Sequence, residues 1–517
     1  MTRPGDLTIL DAIDSPSIWR SWFRDPATWA PWRAFLAALF GLPLDADALA
    51  LFRECTGRAV APLGGFNESW LICGRRAGKS FVLALIAVYL AVFRDWREFL
   101  APGEVGTIKV LATDRRQSRV IHRYCRALLA QVPTLAELVE RDSDDEIQLS
   151  NGIVIEVQTA SFRSVRGYTV IAALLDEIAF WRNADSANPD EEILAAIRPA
   201  MATIPGAMLL AASSPYARKG VLWNAYRRHH GRDDAPALVW RADTRRMNAT
   251  VPQTVIDEAT ERDPASAAAE YGAEFRTDIE TFVAREVVEA LIAPGRFELP
   301  PAGSISYAAF VDPAGGSGAD SFTLAVAHRD RDGRGVLDAI RETRPPFSPE
   351  AVIEDYAALL RRYRISRVVG DRWAGEFPRE QFRKHGISYD TAEKPKSDIY
   401  RELLPLLNSG KVELLDHPRL VAQLCGLERR TARGGRDSID HAAGAHDDII
   451  NSAAGCLVAV AAVPDEVERW LRAFGDPPSG AATLPRPAPP PEPPTVLQPV
   501  LVPVPFAYNV FKEEPLE

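Results

Sequence analysis

The stretch at residues 71–81, LICGRRAGKSF, constrains the fold more than any other part of the chain. An apolar run ends at Cys73. Gly74, Arg75, Arg76, Ala77, Gly78, Lys79 and Ser80 follow, and then a second apolar run reaches Phe93. This predicts a strand, a loop and a helix. The loop has the chemistry of a phosphate cradle: backbone N–H groups at a helix N-terminus, a lysine for β/γ-phosphates and a serine hydroxyl for Mg²⁺. Cys73 stands where G-x-x-x-x-G-K-[ST] has its first glycine, so the loop alone leaves an ordinary glycine-rich turn open. Other parts of the chain decide between them.

A length of 517 residues allows two or three domains. An apolar content of 47% with 25% charged residues is that of a globular protein rather than a disordered one. Five scattered cysteines show no metal-ligand spacing and fit a reducing compartment. No basic segment followed by an apolar core opens the chain, and no apolar run is long enough to span a bilayer. A cytosolic protein is therefore expected. The net charge of −10 excludes a globally basic nucleic-acid binder but not a local basic groove.

Residues 1–60 carry Trp29, Trp32, Phe35, Leu36, Leu39 and Phe40 at helical spacing, read as a helical lead-in whose aromatics pack a core. From 61 to 276, strand-like runs at 69–73, 107–112, 153–158, 170–175 and 207–212 alternate with helical stretches such as 80–93 and 117–131. Such alternation predicts an α/β domain with a mostly parallel sheet. Residues 277–300 read as a linker with one short helix. A second α/β unit follows over 301–463. It has strands at 305–311 and 365–369, a hairpin-like pair at 322–328 and 335–341, and helices at 349–363 and 447–463. Residues 464–517 hold a short helix at 466–474 and then a Pro-rich tail whose composition stays extended or disordered.

Two groups of residues carry chemistry. In the first unit, VIAALLDE (170–177) is an apolar strand ending in Asp176 and Glu177. In this class of nucleotide-binding fold the aspartate helps hold Mg²⁺ and the glutamate polarises the attacking water. LLAASSP (209–215) ends in Ser213 and Ser214, whose hydroxyls either sense a γ-phosphate or belong to a simple turn. Arg75, Arg76 and Arg166 are candidates for neutralising charge on the γ-phosphate, with solvated surface roles as the alternative.

In the second unit, Asp312 ends SYAAFVD, Asp371 ends SRVVGD, and Asp447 and Asp448 open HDDIINSAAG. Carboxylates from separate elements suit a phosphodiesterase that uses two Mg²⁺ or Mn²⁺ ions about 3.5–4 Å apart. Asp448 is favoured over Asp447 because Asn451 lies one helical turn after it. His446 orients this site or only caps the helix. Lys394, Lys396, Arg429, Arg430, Arg433 and Arg436 contact a DNA backbone or form a solvated face.

GRRAGKS, LATDRRQSRV (111–120), SVRGYTVIAALLDE, LLAASSPYARKG and EYGAEF (270–275) occur in this order. Together they resemble the ATPase of the large terminase subunit of tailed bacteriophages and related gene-transfer particles. The three acidic sites, with their HDD signature, resemble that family's RNase H-like nuclease domain. The resemblance spans about residues 61–462 and leaves out the lead-in and the tail. That family tolerates a non-glycine residue at the first loop position and carries an arginine before GK[ST], as Cys73 and Arg75 do here. It implies the Walker A role for 74–80, the Walker B role for Asp176, catalysis by Glu177, coupling through Ser213 and Ser214, and an arginine finger at Arg75. It further implies nuclease metal ligation by Asp312, Asp371 and one or both of Asp447 and Asp448. ATP and Mg²⁺ are the implied cofactors, with Mn²⁺ an alternative at the nuclease.

The implied function is ATP-driven packaging of double-stranded DNA into a procapsid with cutting of concatemers, in the cytoplasm of a bacterial host and without a membrane. The implied partners are a portal protein, a small terminase subunit and further copies of the chain in a ring. The apolar end of the tail, VLVPVPFAYNVF, is a candidate for docking on the portal. A helicase-like translocase fused to a repair or recombination nuclease would use the same two halves. A degenerate scaffold would not retain Lys79, Asp176, Glu177 and the three acidic sites.

Overall fold

The structure is a computed structural model that describes residues 7–160, 167–181, 186, 188–371, 376–431, 437–442 and 444–461. The apolar run ahead of Gly74 forms β1 (Glu68–Cys73). Seven strands join it in one sheet: β2 (Gly106–Ala112), β3 (Val139–Asp142), β4 (Glu146–Leu149), β5 (Ile153–Thr159), β6 (Thr169–Asp176), β7 (Met208–Ser213) and β8 (Leu238–Ala242). Their spatial order is β3-β4-β5-β2-β6-β7-β1-β8. All neighbours run parallel except the β3-β4-β5 edge. The central strands are buried almost throughout, as apolar runs in a parallel sheet covered on both faces should be.

The order places β7 between β1 and β6. Ile72 pairs with Ser213, and Asp176 with Ala212. The glycine-rich loop, the two serines and the two acids therefore leave the sheet side by side at the carboxyl ends of adjacent strands, where open parallel sheets bind ligands. The lead-in belongs to this sheet's core. Trp32, Phe35, Leu36 and Leu39 are buried against the helix Lys79–Phe93 and β8, and Trp29 and Phe40 pack partly buried against the same cluster.

A second sheet has the order β10-β16-β13-β12-β11-β14-β15, and a small one has the order β18-β17-β9. Their strands are β9 (Ile279–Thr281), β10 (Ile292–Ala293), β11 (Tyr307–Asp312), β12 (Phe322–Arg329), β13 (Gly335–Thr343), β14 (Arg367–Gly370), β15 (Ser388–Thr391), β16 (Val412–Leu415), β17 (Leu427–Thr431) and β18 (Asp437–His441). In the seven-stranded sheet β11, β12 and β13 are antiparallel and the remaining pairs parallel. Both larger sheets lie in one compact unit that reaches Ala462.

The helix Asp448–Ala461 lies across the second sheet. It comes close because Gly455 has no side chain: a Cβ there would lie 2.3 Å from the Phe310 ring. The eight-stranded sheet is tied to the small sheet by Glu428 of β17, which is fully buried. Its carboxylate accepts from Tyr216 Oη at 2.7 Å and Lys219 Nζ at 2.8 Å, both just beyond Ser213 and Ser214 at the end of β7.

Some elements differ from the sequence expectation. Residues 277–300 carry the expected short helix, Arg285–Ala290, but also β9 and β10, which pair with β17 and β16. The final helix begins at Asp448, so Asp447 precedes it. The expected short helix at 466–474 and the Pro-rich tail lie outside the described residues.

Candidate active sites

The first site is built by the loop after β1. Its backbone is held by residues far away in sequence. Thr244 Oγ1 donates to the Arg75 carbonyl at 2.8 Å, Asn248 Nδ2 to the Arg76 carbonyl at 2.9 Å, and Trp32 Nε1 to the Ala77 carbonyl at 3.0 Å. Gly74 passes so close to this support that a Cβ would lie 2.2 Å from Thr244 Oγ1. Gly78 has φ of +105°, which side-chain-bearing residues rarely adopt. Cys73, in the first-glycine position, is fully buried and needs no such freedom. Burial pushes its thiol up to about 12, so it stays a neutral packing residue.

Lys79 opens the helix beyond the loop and is buried. Its ammonium donates to the carbonyls of Cys73 and Gly74 at 3.0 and 3.2 Å and to Ser214 Oγ at 3.0 Å. It also lies 3.3 Å from Glu177 Oε1. Ser213 Oγ and the Ser214 N–H both donate to Glu177 Oε2, at 3.2 and 3.1 Å. The two serines thus link the lysine to the glutamate. Glu177 itself is in the left-handed region at φ 51°. Such a conformation costs a non-glycine residue on the order of 1–3 kcal/mol and collects at functional sites.

Asp176 is completely buried. Its Oδ2 accepts from Ser80 Oγ at 3.1 Å and from Gln117 Nε2 at 2.8 Å. Its Oδ1 is buried with no hydrogen-bond partner among the described residues. Burial, and then the charge of Glu177, push the carboxyl up to about 6. A buried carboxylate with one unsatisfied oxygen beside a serine hydroxyl suits Mg²⁺. Gln117 was not singled out in the sequence. The signal was local: Asp114 caps the helix Arg115–Ala130 through the Gln117 N–H.

Arg75 points elsewhere. Its guanidinium donates to Glu270 Oε2 at 3.0 Å, and its side chain is 62% exposed. That hydrogen bond raises its pKa further. Arg76 has φ of 67° and contributes a carbonyl to the Asn248 contact. Arg166 lies outside the described residues.

The second site follows from strand register. β11 and β14 are parallel neighbours with Val311 opposite Gly370, so Asp312 and Asp371 emerge side by side at the same level. Asn451 Nδ2 donates to both, at 2.8 Å to Asp312 Oδ2 and 3.4 Å to Asp371 Oδ2. Thr323, opposite Asp312 on β12, donates its hydroxyl to the Asp448 carbonyl at 2.7 Å. Asp448 Oδ2 accepts the Ser321 N–H at 2.9 Å. Gln423 caps the start of this helix, its Oε1 accepting the Ile449 and Ile450 N–H groups at 2.9 and 3.1 Å.

Asp312, Asp371, Asp447, Asp448 and Asn451 all line one cleft of about 220 Å³. Enclosure there pushes Asp312 well above the usual carboxylate range. Asn451 opposes the shift, and the charges of Asp448, Asp371 and Asp447 add to it. Asp448 is pushed up to about 6, first by burial. Converging oxygen donors of this kind suit hard divalent cations such as Mg²⁺ or Mn²⁺.

The structure adds residues to both ends of the acidic pair. Asp320, not singled out in the sequence, faces His446 Nδ1 at 3.3 Å, and both group with Asp448 within 4.8 Å. His446 thus turns toward the acids. Asp447 instead groups with Asp440 and His441. Lys396, a candidate for DNA contact or a solvated face, lies in the cleft and pairs with Asp447 at 2.9 Å. Lys394 pairs with Glu402, Arg429 with Asp437 and Arg430 with Glu428. Arg433 and Arg436 lie outside the described residues.

No family model and no curated protein matches the chain. Among solved structures it is similar to the large terminase of bacteriophage HK97, with a TM-score of 0.36 and 16% identity over 83% of this chain and 99% of that one. It is also similar to the large terminase of thermophilic bacteriophage D6E in complex with ADP (TM-score 0.34, 12% identity, 78% of this chain and 97% of that one). A third similar structure is the large terminase nuclease of thermophilic phage G20c with bound magnesium (TM-score 0.30, 18% identity, 34% of this chain and 94% of that one).

Proposed function

We propose that the chain is a large terminase subunit: an ATPase that drives double-stranded DNA into a procapsid and cuts it with a metal-dependent endonuclease. One observation carries the reading. A single chain holds two separate constellations on two sheets: Lys79, Ser80, Asp176, Glu177 and Ser214 on the first, and Asp312, Asp371, Asp448 and Asn451 on the second.

In the first site the loop N–H groups and Lys79 bind the β/γ-phosphates. Ser80 and Asp176 would hold Mg²⁺, which supplies charge neutralisation across the phosphates. Glu177, fixed by the two serines, orients the attacking water and accepts its proton. Ser213 and Ser214 register the change on Glu177 and Lys79, and pass it along the backbone to Tyr216 and Lys219, which grip Glu428. Arg75 reaches the γ-phosphate by exchanging its exposed contact with Glu270; exposed pairs of this kind hold together by only about 0–1 kcal/mol.

In the second site Asp312, Asp371 and Asp448 would hold two divalent ions, which supply an activated water and stabilise the leaving 3′-oxygen. Asn451 keeps Asp312 and Asp371 together. The portal protein, the small terminase subunit and a ring of copies are the partners this function requires, and the bacterial cytoplasm is its place. Among the described residues no helix is long and apolar enough to cross a membrane.

The test uses the full chain with blunt double-stranded DNA, ATP and Mg²⁺. ATP hydrolysis stimulated by procapsids, duplex movement without strand separation, and plasmid cutting abolished by EDTA are expected. ATP-dependent unwinding that ignores procapsids would instead establish a helicase-like translocase.

A further inference from the structure

Asp447 keeps different company from the other acids of the cleft. Its Oδ2 accepts from Tyr400 Oη at 2.9 Å and lies 2.9 Å from Lys396 Nζ. Its Oδ1 faces His441 Nε2 at 4.0 Å. Lys396 and Tyr400 are one turn apart on the helix Lys396–Asn408, so one helix face delivers both donors. Asp440, His441 and Asp447 are close enough to share a cation. The Lys396 ammonium already touches two of the three, standing 3.0 Å from Asp440 Oδ1. The Asp447 side chain is only 6% exposed, whereas Lys396 retains 29% and lines the same cleft as Asp312, Asp371 and Asp448.

A nearly buried carboxylate bound by an ammonium and a phenol has little left to offer a divalent ion. The ammonium it holds is aimed at the cleft in which a phosphodiester would be cut. The arrangement suits charge stabilisation by a fixed cation, which costs no reorganisation during the reaction. We propose that Lys396 is a catalytic residue of the nuclease: Asp447 positions its ammonium against the scissile phosphate and takes no part in binding metal. The divalent ions are left to Asp312, Asp371 and Asp448. This rests on the nuclease reading above.

The test compares the full-length chain with the K396M, K396R and D447N variants. Two quantities are measured on each: Mn²⁺ binding by isothermal titration without DNA, and plasmid cleavage resolved into kcat and KM. ATP hydrolysis reports folding, because neither residue touches the nucleotide site. For D447N, Mn²⁺ stoichiometry should match wild type and affinity should stay within about twofold. K396M should lose at least about 100-fold in kcat with little change in KM, as expected for a contact made in the transition state. K396R should recover part of that loss. A D447N variant that binds one Mn²⁺ fewer, or binds tenfold more weakly, would make Asp447 a metal ligand and overturn the proposal. Wild-type kcat in K396M would overturn it as well. A wild-type chain that neither binds Mn²⁺ nor cuts DNA would remove the nuclease reading itself, and that failure is distinguishable because it appears before any substitution.

Discussion

Lys79 and Glu177 meet at the end of β7, ammonium to Oε1 at 3.3 Å, with Ser214 bonded to both. The residue proposed to grip phosphate and the residue proposed to handle water are therefore joined through Ser214. In the Glu177→Gln variant the amide keeps the shape but cannot take a proton. ATP turnover should fall by about 10²–10⁴, the usual worth of a general base. Nucleotide should still bind, and metal-dependent plasmid nicking should persist, because Asp312 and its neighbours lie on the other sheet. Phosphate release and fluorescent-nucleotide binding measure the two halves of this statement. Near wild-type turnover would remove Glu177 from catalysis.

Arg75 is paired with Glu270, yet its side chain is mostly exposed. A contact made to the γ-phosphate only in the transition state affects rate rather than affinity. Arg75→Ala should lower turnover by about 10³ or more, the scale of an arginine finger, with ATP affinity nearly unchanged. Glu270→Gln leaves the arginine with a neutral partner and should not lower turnover. If R75A weakens ATP binding in proportion to the rate loss, Arg75 is a ground-state contact.

Asp448 gives a pH signature. Its folded carboxyl sits at about 6, pushed up by burial. An unfolded aspartate titrates near 3.9. The folded chain therefore binds this proton more tightly, and the stability gained from it is lost as pH rises from about 4 to about 6. Above that the buried carboxylate carries its full cost, up to about 3 kcal/mol for two pKa units. In EDTA, Asp448→Asn should melt above wild type at pH 7.5, and the difference should close toward pH 4.5. Mg²⁺ should raise the wild-type melting temperature at pH 7.5 and do little for the variant. Calorimetry at the two pH values decides it, and a variant less stable than wild type at pH 7.5 in EDTA would contradict the assignment.

Both sheets were legible because their central strands are apolar runs closed by a glycine or an acid, as at Cys73–Gly74, Asp176 and Asp312. The β3-β4 edge was not, since VERD and EIQL carry too much charge to read as strands and depend on β5 for support. Asn451 could be reached from helical spacing alone. Thr244, Asn248 and Trp32 could not be tied to the loop, because each bonds a main-chain carbonyl, and a carbonyl leaves no trace in the sequence. Lys396, Tyr400, Asp440 and His441 converge on Asp447 from a helix and a hairpin that had not been joined. For the same reason the choice between DNA contact and a solvated face stayed open for Lys394, Lys396, Arg429 and Arg430, whose acidic partners appear only once the chain is folded.

The last prediction concerns Gly455, in the middle of the helix that carries Asp448 and Asn451. Alanine is the better helix former by about 0.8–1 kcal/mol, so an exposed site would be stabilised by this change. Here the added Cβ would sit 2.3–2.6 Å from three atoms of the Phe310 ring. Overpacking a well-filled core costs about 1–3 kcal/mol, which outweighs the propensity gain. Phe310 lies two residues before Asp312 on β11, and Asn451 lies one turn before Gly455, so the helix and strand would be pushed apart along the line that holds Asn451 to Asp312. Gly455→Ala should therefore lower the melting temperature and reduce plasmid cleavage at least tenfold while leaving ATP hydrolysis unaltered. Phe310→Leu in the same chain should restore part of the cleavage by making room for the methyl group. A G455A chain that melts higher and cuts normally would show that the helix stands farther from β11 than this packing requires.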